Sequence, residues 1–596
     1  MAAMGKVFKS LGLLWALSLV CLVVFADAVT MNKFRSSPVV VVGGGPVGLA
    51  SALMLDSLGF SDITVVERRS GATSFEASHS YLYLIDARGQ LCTDNLNITE
   101  SLAMKAVGSS TFTNLTEFLT SGKLKSMKLP TLGKTSVEKL WVPRSVILDA
   151  LLLNIRSRSS IRVQFDTTVE QISCDNTEIR LKLDSKGKGK SELTTQLLLG
   201  CDGYRSEVRN FLALRARNTL EVPDDENDFI PKLLDSPAAG LYYKMLSPKS
   251  DARVIGATTQ AFAVRGTSKL FGEPRLSLGL LPVVAGAKRT ANFIAPSSHS
   301  VWKHRSLEGM RTYLQSTFPQ LEPLSDFFDD AEIERFAIAE PGTFPAPSYI
   351  TKNSETLHSG QQSFVVLLGD AVHSFPPDLG QGVNSGLHDV FALGQCLSKG
   401  LKLALMREEA LEGKISASSS AEEERRRRKG DQVAFIIGDN VQPTPKKVSD
   451  KNAEADEQLG AWAMEAPHVL AEALFEYDKS RVDEAKELAK LMTYAFPYQY
   501  RQAPGRYALT MLNALMRFGL NKLVPWVFHP PAFFMLQQDQ PILDYKTINK
   551  LAHRTTRAIL KSIAVGFLIW HRGALSGVFQ RLKTGVFDLI TCMLRF

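Results

Sequence analysis

The first strong pattern in the chain is an unbroken β-branched run, Val39 to Val42, that gives way at once to glycine. Consecutive apolar residues without polar alternation read as a strand buried on both faces. An alternation of small and apolar residues from Val47 to Leu58 reads as a helix, and Ile63 to Val66 as a second strand ending at Glu67. Together these make a βαβ start. The signal weakens between Tyr81 and Leu140. Trp141 to Ile155 then reads as a strand end and a Leu-rich helix, Ile161 to Leu183 as two alternating strands, and Ser185 to Glu192 as a loop. Leu197 to Leu199 is a short apolar strand that runs into Gly200-Cys201-Asp202-Gly203.

Between Phe211 and Ala346 the pattern changes to strand-like runs, notably Leu241–Leu246, Ala261–Val264 and Leu276–Leu281, with one helix at Leu307–Thr317. This predicts a mostly antiparallel sheet, a substrate domain over about 216–345, inserted into an α/β unit that spans 37–401. The apolar run before Gly369-Asp370 returns to the α/β pattern, and a Pro/Gly loop leads into a further helix. Residues 406–460 are polar, mixed in charge and poor in large apolar side chains, the composition of a flexible insertion. Helix resumes from Val469 to Tyr494, and 466–596 reads as a helical region that becomes amphipathic and basic at its end. Its apolar run Ile563–Trp570 is too short to span a bilayer. Two readings of that end stay open, one lying in a membrane surface and the other packing onto the protein's own core.

Composition narrows the class. The 596 residues carry ordinary apolar and charged fractions and a formal charge of +8. Nine of the basic residues fall in Lys546–Phe596 against a single acid, Asp588, which suits an anionic membrane surface. No basic-aromatic motif accompanies them, and nucleic acid is not an expected partner. Six scattered cysteines without a C-x-x-C exclude a disulfide scaffold and a cysteine zinc site. At the start, Lys6 and Lys9 precede an uncharged run from Leu11 to Phe25 and then Ala26-Asp27-Ala28. Residues 1–30 therefore read as a hydrophobic targeting segment. A cleaved signal, a retained anchor and a start at Met31 all fit, and a membrane-associated location, endomembrane or organellar, is the expectation.

Three constellations carry chemistry. Gly43-Gly44-Gly45-Pro46-Val47-Gly48 follows a strand and opens a helix, as a nucleotide pyrophosphate site requires. Gly43 allows the turn, Gly45 lets a phosphate approach, and Gly48 lets helix and strand pack. Glu67 then stands where an adenosine ribose is held, and an acid there disfavours a 2′-phosphate, leaving FAD or NAD(H). The second constellation is Asp202-Gly203, with Ser206 and Arg209 at helical spacing, and the third is Gly369-Asp370 with Gly380-Gln381-Gly382. His373 and His388 flank the third and read as isolated structural or solvent-facing residues. No Ser-His-Asp or metal-ligand pattern is evident.

In this order the three motifs resemble the single-component FAD-dependent aromatic hydroxylases, the p-hydroxybenzoate hydroxylase-like family. The resemblance covers about 38–401 and resumes near Tyr477–Arg481. It implies a Rossmann-like FAD-binding domain and a monooxygenase that uses NADPH (or NADH) and O2 to hydroxylate a small aromatic substrate through a C4a-hydroperoxyflavin. It also implies residue roles. Gly43, Gly45, Gly48 and Glu67 hold the FAD pyrophosphate and ribose, and Arg144 reaches the pyrophosphate region. Asp202 and Gly203 serve FAD and the reduced nicotinamide, and Asp370 bonds the ribityl chain. Gly380, Gln381, Gly382, Val383 and Asn384 present backbone N–H groups to the flavin. The stretches Ser80–Gln90 and Met310–Leu324 and the basic C-terminal region resemble the kynurenine-hydroxylating branch. By that resemblance Arg88 anchors the substrate carboxylate; a surface salt bridge is its other reading. A flavin epoxidase or hydroxylase of a terpenoid- or carotenoid-like substrate stays open, as does a flavin-binding protein without oxygenase activity.

Overall fold

Val39–Val42 (β1) is buried along its whole length because strands flank it on both edges and side chains cover both of its faces. The computed structural model describes residues 35–71, 82–107, 114–119, 121, 123–128, 139–175, 178–249, 252, 262–267, 275–280, 289–357, 363–402, 466–495, 504–537 and 542–573. The other strands of the central sheet are β2 (Ile63–Val66), β3 (Ile161–Gln164), β4 (Leu197–Gly200), β5 (Ser354–Leu357) and β6 (Ser363–Leu367). Their order is β5-β6-β4-β1-β2-β3, parallel throughout except for the edge strand β5.

The helices that cover this sheet or line its carboxyl edge are α1 (Pro46–Ser57), α2 (Ala87–Asn95), α3 (Arg144–Arg156), α4 (Glu207–Thr219), α5 (382–402) and α6 (Ala466–Tyr494). On one face Val39 and Val41 share a core with Leu49, Leu53, Leu148, Leu151, Leu387 and Leu474. On the other, Val40 and Val42 meet Leu198, Leu212, Val365 and Leu367, joined by Leu181 and Leu183. Each such fully buried side chain contributes roughly 1.5–3 kcal/mol. The fold is thus the expected α/β unit.

Among the described residues the inserted sheet has seven strands, ordered Gly342–Thr343, Tyr242–Leu246, Ala291–Ala295, Ser277–Leu280, Phe262–Arg265, Asn114–Phe118 and Leu124–Lys128. Every pairing is antiparallel except Phe262–Arg265 with Asn114–Phe118. Alternate burial along Ala291–Ala295 shows one face fully packed and the other half-buried, with Ile294 against Ala238, Leu241 and Phe344. The packed face meets Met310 and Leu314 of the helix Leu307–Thr317, together with Phe318 and Phe336. Two strands come from the weakly patterned stretch before Leu140, so the sheet extends beyond 216–345. The segment Ser185–Glu192 is not a loop throughout. A hairpin turn at 186–188 joins the strands Ile179–Ser185 and Gly189–Thr195, with Gly187 and Gly189 supplying the positive φ that the turn needs.

The described part of the C-terminal region is helical, with α7 (Pro504–Leu523), a short helix at Ala532–Leu536 and α8 (Tyr545–Gly573) following α6, while 574–596 lie outside the described residues. Tyr545, Ile548 and Ala552 of α8 pack with Leu488, Leu491 and Met492 of α6 and with Leu379 of the Pro/Gly loop. The first half of α8 therefore packs onto the protein's own core. Among the described residues no helix is long and apolar enough to cross a membrane. Residues 1–30 and the 406–460 insertion lie outside the described residues.

Candidate functional site

The three motifs meet at the carboxyl edge of the sheet, because β6, β4 and β1 are neighbours and each runs out into one of them. Gly43 leaves β1 at φ +107°, and a Cβ there would stand 2.3 Å from the Cys201 carbonyl oxygen. A Cβ on Gly48 would stand 1.8 Å from the Gly43 carbonyl oxygen. Both positions require glycine to let β1, α1 and the 201–203 turn approach one another. Gly45 differs, since a Cβ on it would meet no atom within 4 Å. Its open side lies at the N-terminus of α1, where the first N–H groups lack intrahelical partners and the dipole favours an anion.

Glu67 sits at the end of β2 with its side chain folded against the glycine loop. Its Oε2 accepts the Gly44 N–H (2.7 Å) and its Oε1 the Arg69 N–H (2.9 Å). Each oxygen keeps capacity for one further donor, as a ribose acceptor requires. Asp202 is more occupied. Its Oδ2 accepts the N–H groups of Glu207 (2.7 Å) and Val208 (3.3 Å) at the start of α4, which Ser206 caps through the Arg209 N–H. Its Oδ1 is buried without a partner. Burial pushes the Asp202 pKa up, against the hydrogen bonds it accepts. Gly203 has φ +83° and an open Cβ position. Arg209 ties this turn to the next motif, donating to the carbonyls of Ala371 (2.9 Å) and Tyr204 (2.7 Å).

Gly369, at φ +63°, closes β6 and presents Asp370. Asp370 is exposed at the carboxyl edge of the sheet, although enough protein surrounds it to desolvate its carboxylate. Burial raises its pKa; His373 opposes the shift and Asp389 adds to it. Tyr83, on the strand Leu82–Ile85, lies within electrostatic reach of Asp370 and of Arg144, the first residue of α3 after the paired strand Leu140–Pro143. Burial also raises the Tyr83 pKa, against the charge and hydrogen bond of Arg144 and together with the charge of Asp370. Sequence-distant Arg144 and Asp370 are thus brought into electrostatic reach through Tyr83, a residue that the motifs did not single out.

In the Pro/Gly loop, Gly380 has φ +62°, and neither it nor Gly382 has an atom near an added Cβ. The Gln381 and Asn384 side chains are held within the protein. Gln381 Nε2 donates to Asp86 Oδ2 (2.9 Å), and Asn384 Oδ1 accepts the Asp86 N–H (3.0 Å). Asn384 Nδ2 donates to the carbonyls of Leu84 (2.8 Å) and Gly380 (2.9 Å). Val383 packs against the core. These side chains hold the loop while its backbone faces the cleft. Glycines from three loops with open Cβ positions, next to an orphaned carboxylate oxygen and a helix N-terminus, fit a flavin dinucleotide laid along the carboxyl edge of the sheet.

Arg88 is not a surface residue, being 2% exposed. It donates to the carbonyls of Leu536 (3.2 Å) and Leu543, and its guanidinium lies 4.7 Å from the Tyr545 ring centroid. Asp86 is 4.0 Å away. The Tyr545 hydroxyl donates to Gln381 Oε1 (3.0 Å), linking Arg88's surroundings to the Pro/Gly loop. Burial raises the Tyr545 pKa to about 12, with Arg88 opposing the shift. More than 450 residues separate Arg88 from Tyr545 in sequence, and no motif signal could have paired them.

The histidines are not isolated. His373 Nε2 is 2.7 Å from Asp389 Oδ2 and 3.4 Å from Ser385 Oγ, all three buried. This is no relay triad, because both neighbours meet the same ring nitrogen while Nδ1 is buried without a partner. Arg481 of α6 reaches Asp389 Oδ1 through Nε (2.8 Å) and His388 Nδ1 through Nη1 (3.1 Å). Burial and then Arg481 lower the His388 pKa to about 3, so its ring stays neutral. Among the described residues no cluster of His, Cys, Asp or Glu could hold a metal ion.

Fold and site together define an FAD-dependent flavoprotein monooxygenase. The chain belongs to the FAD binding domain family, whose model it matches over residues 36–260 and 344–429. The gap in that match falls on the inserted sheet. The chain is 26% identical over 393 residues to the kynurenine 3-monooxygenase of Cryptococcus neoformans, covering 62% of this chain and 70% of that one. It is 24% identical over 369 residues to the 3-(3-hydroxy-phenyl)propionate/3-hydroxycinnamic acid hydroxylase of Escherichia coli, covering 60% and 55%. Among solved structures, 2-methyl-3-hydroxypyridine-5-carboxylic acid oxygenase matches with a TM-score of 0.43 at 19% identity, over 65% of this chain and 92% of that one.

Proposed function

We propose that this monooxygenase hydroxylates a small aromatic substrate that carries a carboxylate, with kynurenine as the first substrate to test and NADPH or NADH as reductant. The observation that carries the reading is Arg88. A buried guanidinium stands beside the Pro/Gly loop, on the side of the cleft where Gln381 and Tyr545 meet. Its two hydrogen-bond acceptors are neutral carbonyls, and its nearest carboxylate is 4.0 Å away, so a substrate carboxylate that displaced one of those carbonyls would gain a charge-assisted partner. The kynurenine 3-monooxygenase relatives support the same substrate class.

Bound FAD would carry electrons from NAD(P)H to O2 for transfer of one oxygen atom to an electron-rich ring. The chain's own residues would hold it. The α1 N-terminus and Gly45 take the pyrophosphate, Glu67 the ribose, Asp370 the ribityl hydroxyls, Arg144 the phosphate side, and the 380–383 backbone the flavin edge. Asp202 and Gly203 close the cleft between them, and the residues packed around Leu379, Met535 and Leu536 keep water out. Division into an FAD domain, an inserted substrate sheet and a helical C-terminal region accords with this use of the cleft. Association with an endomembrane or organellar membrane rests on the basic C-terminal composition and the apolar N-terminal segment alone.

A second reading is favoured by the two carbonyl partners of Arg88. There Arg88 docks the C-terminal region, and the substrate is an apolar, lipid-like molecule. The test is to combine purified protein with NADPH and kynurenine and follow flavin reduction and 3-hydroxykynurenine. Faster reduction and product support the first reading. If kynurenine changes neither, the substrate assignment fails while the flavin assignment stands.

A further inference from the structure

Three donors, two from the turn after β6 and one from α6, converge on one buried carboxylate that no motif singled out. Asp389 is 1% exposed and accepts the Gly369 N–H (3.0 Å) and His373 Nε2 (2.7 Å) on Oδ2, and Arg481 Nε (2.8 Å) on Oδ1. Gly369 is the residue that turns the chain so that Asp370 faces the cleft. That turn is tightly seated, since a Cβ on Gly369 would stand 3.1 Å from Val47 Cγ2 of α1, and one on Gly386 of α5 would stand 2.8 Å from the same atom. Little room is left for Gly369 to turn its N–H toward another acceptor.

Asp389 and Arg481 form a buried ion pair at the centre of the cluster, with His373 Nε2 and the Gly369 N–H on the second carboxylate oxygen. Burial pushes the Asp389 pKa up, but His373, Arg481 and the Gly369 N–H outweigh it and hold it well below the usual carboxylate range.

We propose that Asp389 is a positioning residue for the flavin-facing turn: gripped by His373 and by Arg481 of α6, it fixes the Gly369 amide, sets Asp370 in the cleft, and so makes the C-terminal helical region part of the cofactor site. This rests on the flavin reading above. Asp389 touches no ligand-facing surface itself; it acts through Gly369 and Asp370. The effect is therefore local to the ribityl side and spares the adenosine side, which the glycine loop and Glu67 form.

That asymmetry is the test. Deflavinated full-length protein is titrated with FAD and, separately, with ADP, in the wild type and in Asp389→Asn. Asparagine keeps the size but cannot accept from Gly369, His373 and Arg481 together. The expected result is a Kd for FAD raised about tenfold or more, with the Kd for ADP within about twofold of the wild type. An unchanged Kd for FAD overturns the inference. A parallel weakening of FAD and ADP overturns it too, because that is what general loosening of the domain produces. Should Asp389→Asn fail to fold, Arg481→Lys, which keeps the charge and loses the guanidinium fork, is read by the same two criteria. Failure of the wild type to bind FAD or ADP would instead sink the flavin reading, and the inference with it.

Discussion

Gly45 and Gly48 stand three residues apart in one loop, yet they should fail in different ways when replaced by alanine. At Gly48 a Cβ would lie 1.8 Å from the Gly43 carbonyl oxygen, well inside the roughly 3.3 Å at which a carbon can approach an oxygen. Relief requires α1 to move off β1 by more than about 1 Å, and overpacking of this kind costs about 1–3 kcal/mol. At Gly45 the backbone has φ −75° and ψ −179°, which alanine adopts freely, and the new methyl meets no protein atom. Gly45→Ala should leave the apoprotein as stable as the wild type, or up to about 1 kcal/mol more stable through the unfolded chain. Its methyl would occupy the approach of an anion to the α1 N-terminus. Losing one or two charge-assisted hydrogen bonds at about 1.5–3 kcal/mol each corresponds to a loss of FAD affinity of roughly one to four decades. The assay pairs thermal unfolding of the apoprotein with FAD titration. Gly48→Ala should lower both Tm and affinity, whereas Gly45→Ala should lower affinity alone. A Gly45→Ala protein that binds FAD like the wild type would refute the reasoning that this glycine is there for a ligand.

Other perturbations probe separate parts of the structure. Asp478 of α6 accepts the Asn353 N–H (3.0 Å) and the Ser354 hydroxyl (2.9 Å). Burial, the largest influence, raises its pKa to about 6 against those bonds. Its folded pKa lies above the unfolded value, so its contribution to stability is full below about pH 4 and is lost as pH rises through 6. Asp478→Asn should remove that slope and, after allowance for partial exposure, gain about 1–2 kcal/mol over the wild type at pH 8, read as a Tm difference between pH 5 and pH 8. Lys244 donates to the carbonyls of Phe336 and Ala337 at the end of the helix Asp330–Ile338, and burial lowers its pKa to about 8. Lys244→Met should cost about 1–3 kcal/mol in unpaired carbonyls at neutral pH, and the deficit should widen between pH 8 and 10 as the wild-type lysine sheds its unfavourable buried charge. Arg88→Gln should raise KM for a carboxylate-bearing substrate about tenfold or more and leave FAD affinity within about threefold. If KM is unmoved, Arg88 serves the C-terminal docking alone.

The βαβ start and all three cleft motifs were legible from local pattern, because each is a short stretch in which backbone conformation, and so residue type, is dictated by the turn. Gly43, Gly369 and Gly380 all sit at positive φ. The strands Asn114–Phe118 and Leu124–Lys128 were not legible. They are polar, and their pairing with Phe262–Arg265 is decided by a partner far along the chain. The hairpin at 186–188 was hidden by lysine-rich strand ends whose exposed side chains carry no alternation. Tyr83, Tyr545, Asp389 and Arg481 were missed for one shared reason. Each acts through a contact across the fold, and in the sequence an isolated tyrosine or charge looks the same whether it is solvated or buried against a partner. Arg88 was singled out by resemblance, but its burial and its carbonyl partners follow from the docking of 532–537 and 542–545, which no local pattern encodes.

The central claim is that the loops after β1, β4 and β6 form one FAD site. Titrating deflavinated full-length protein with FAD, followed by flavin fluorescence, tests it most directly when Gly45→Ala and Asp370→Ala are run beside the wild type. The account predicts saturation at one FAD per chain and weaker binding in both variants, each of which alters a different loop. Saturable binding that neither substitution changes, or no binding at all, would contradict it.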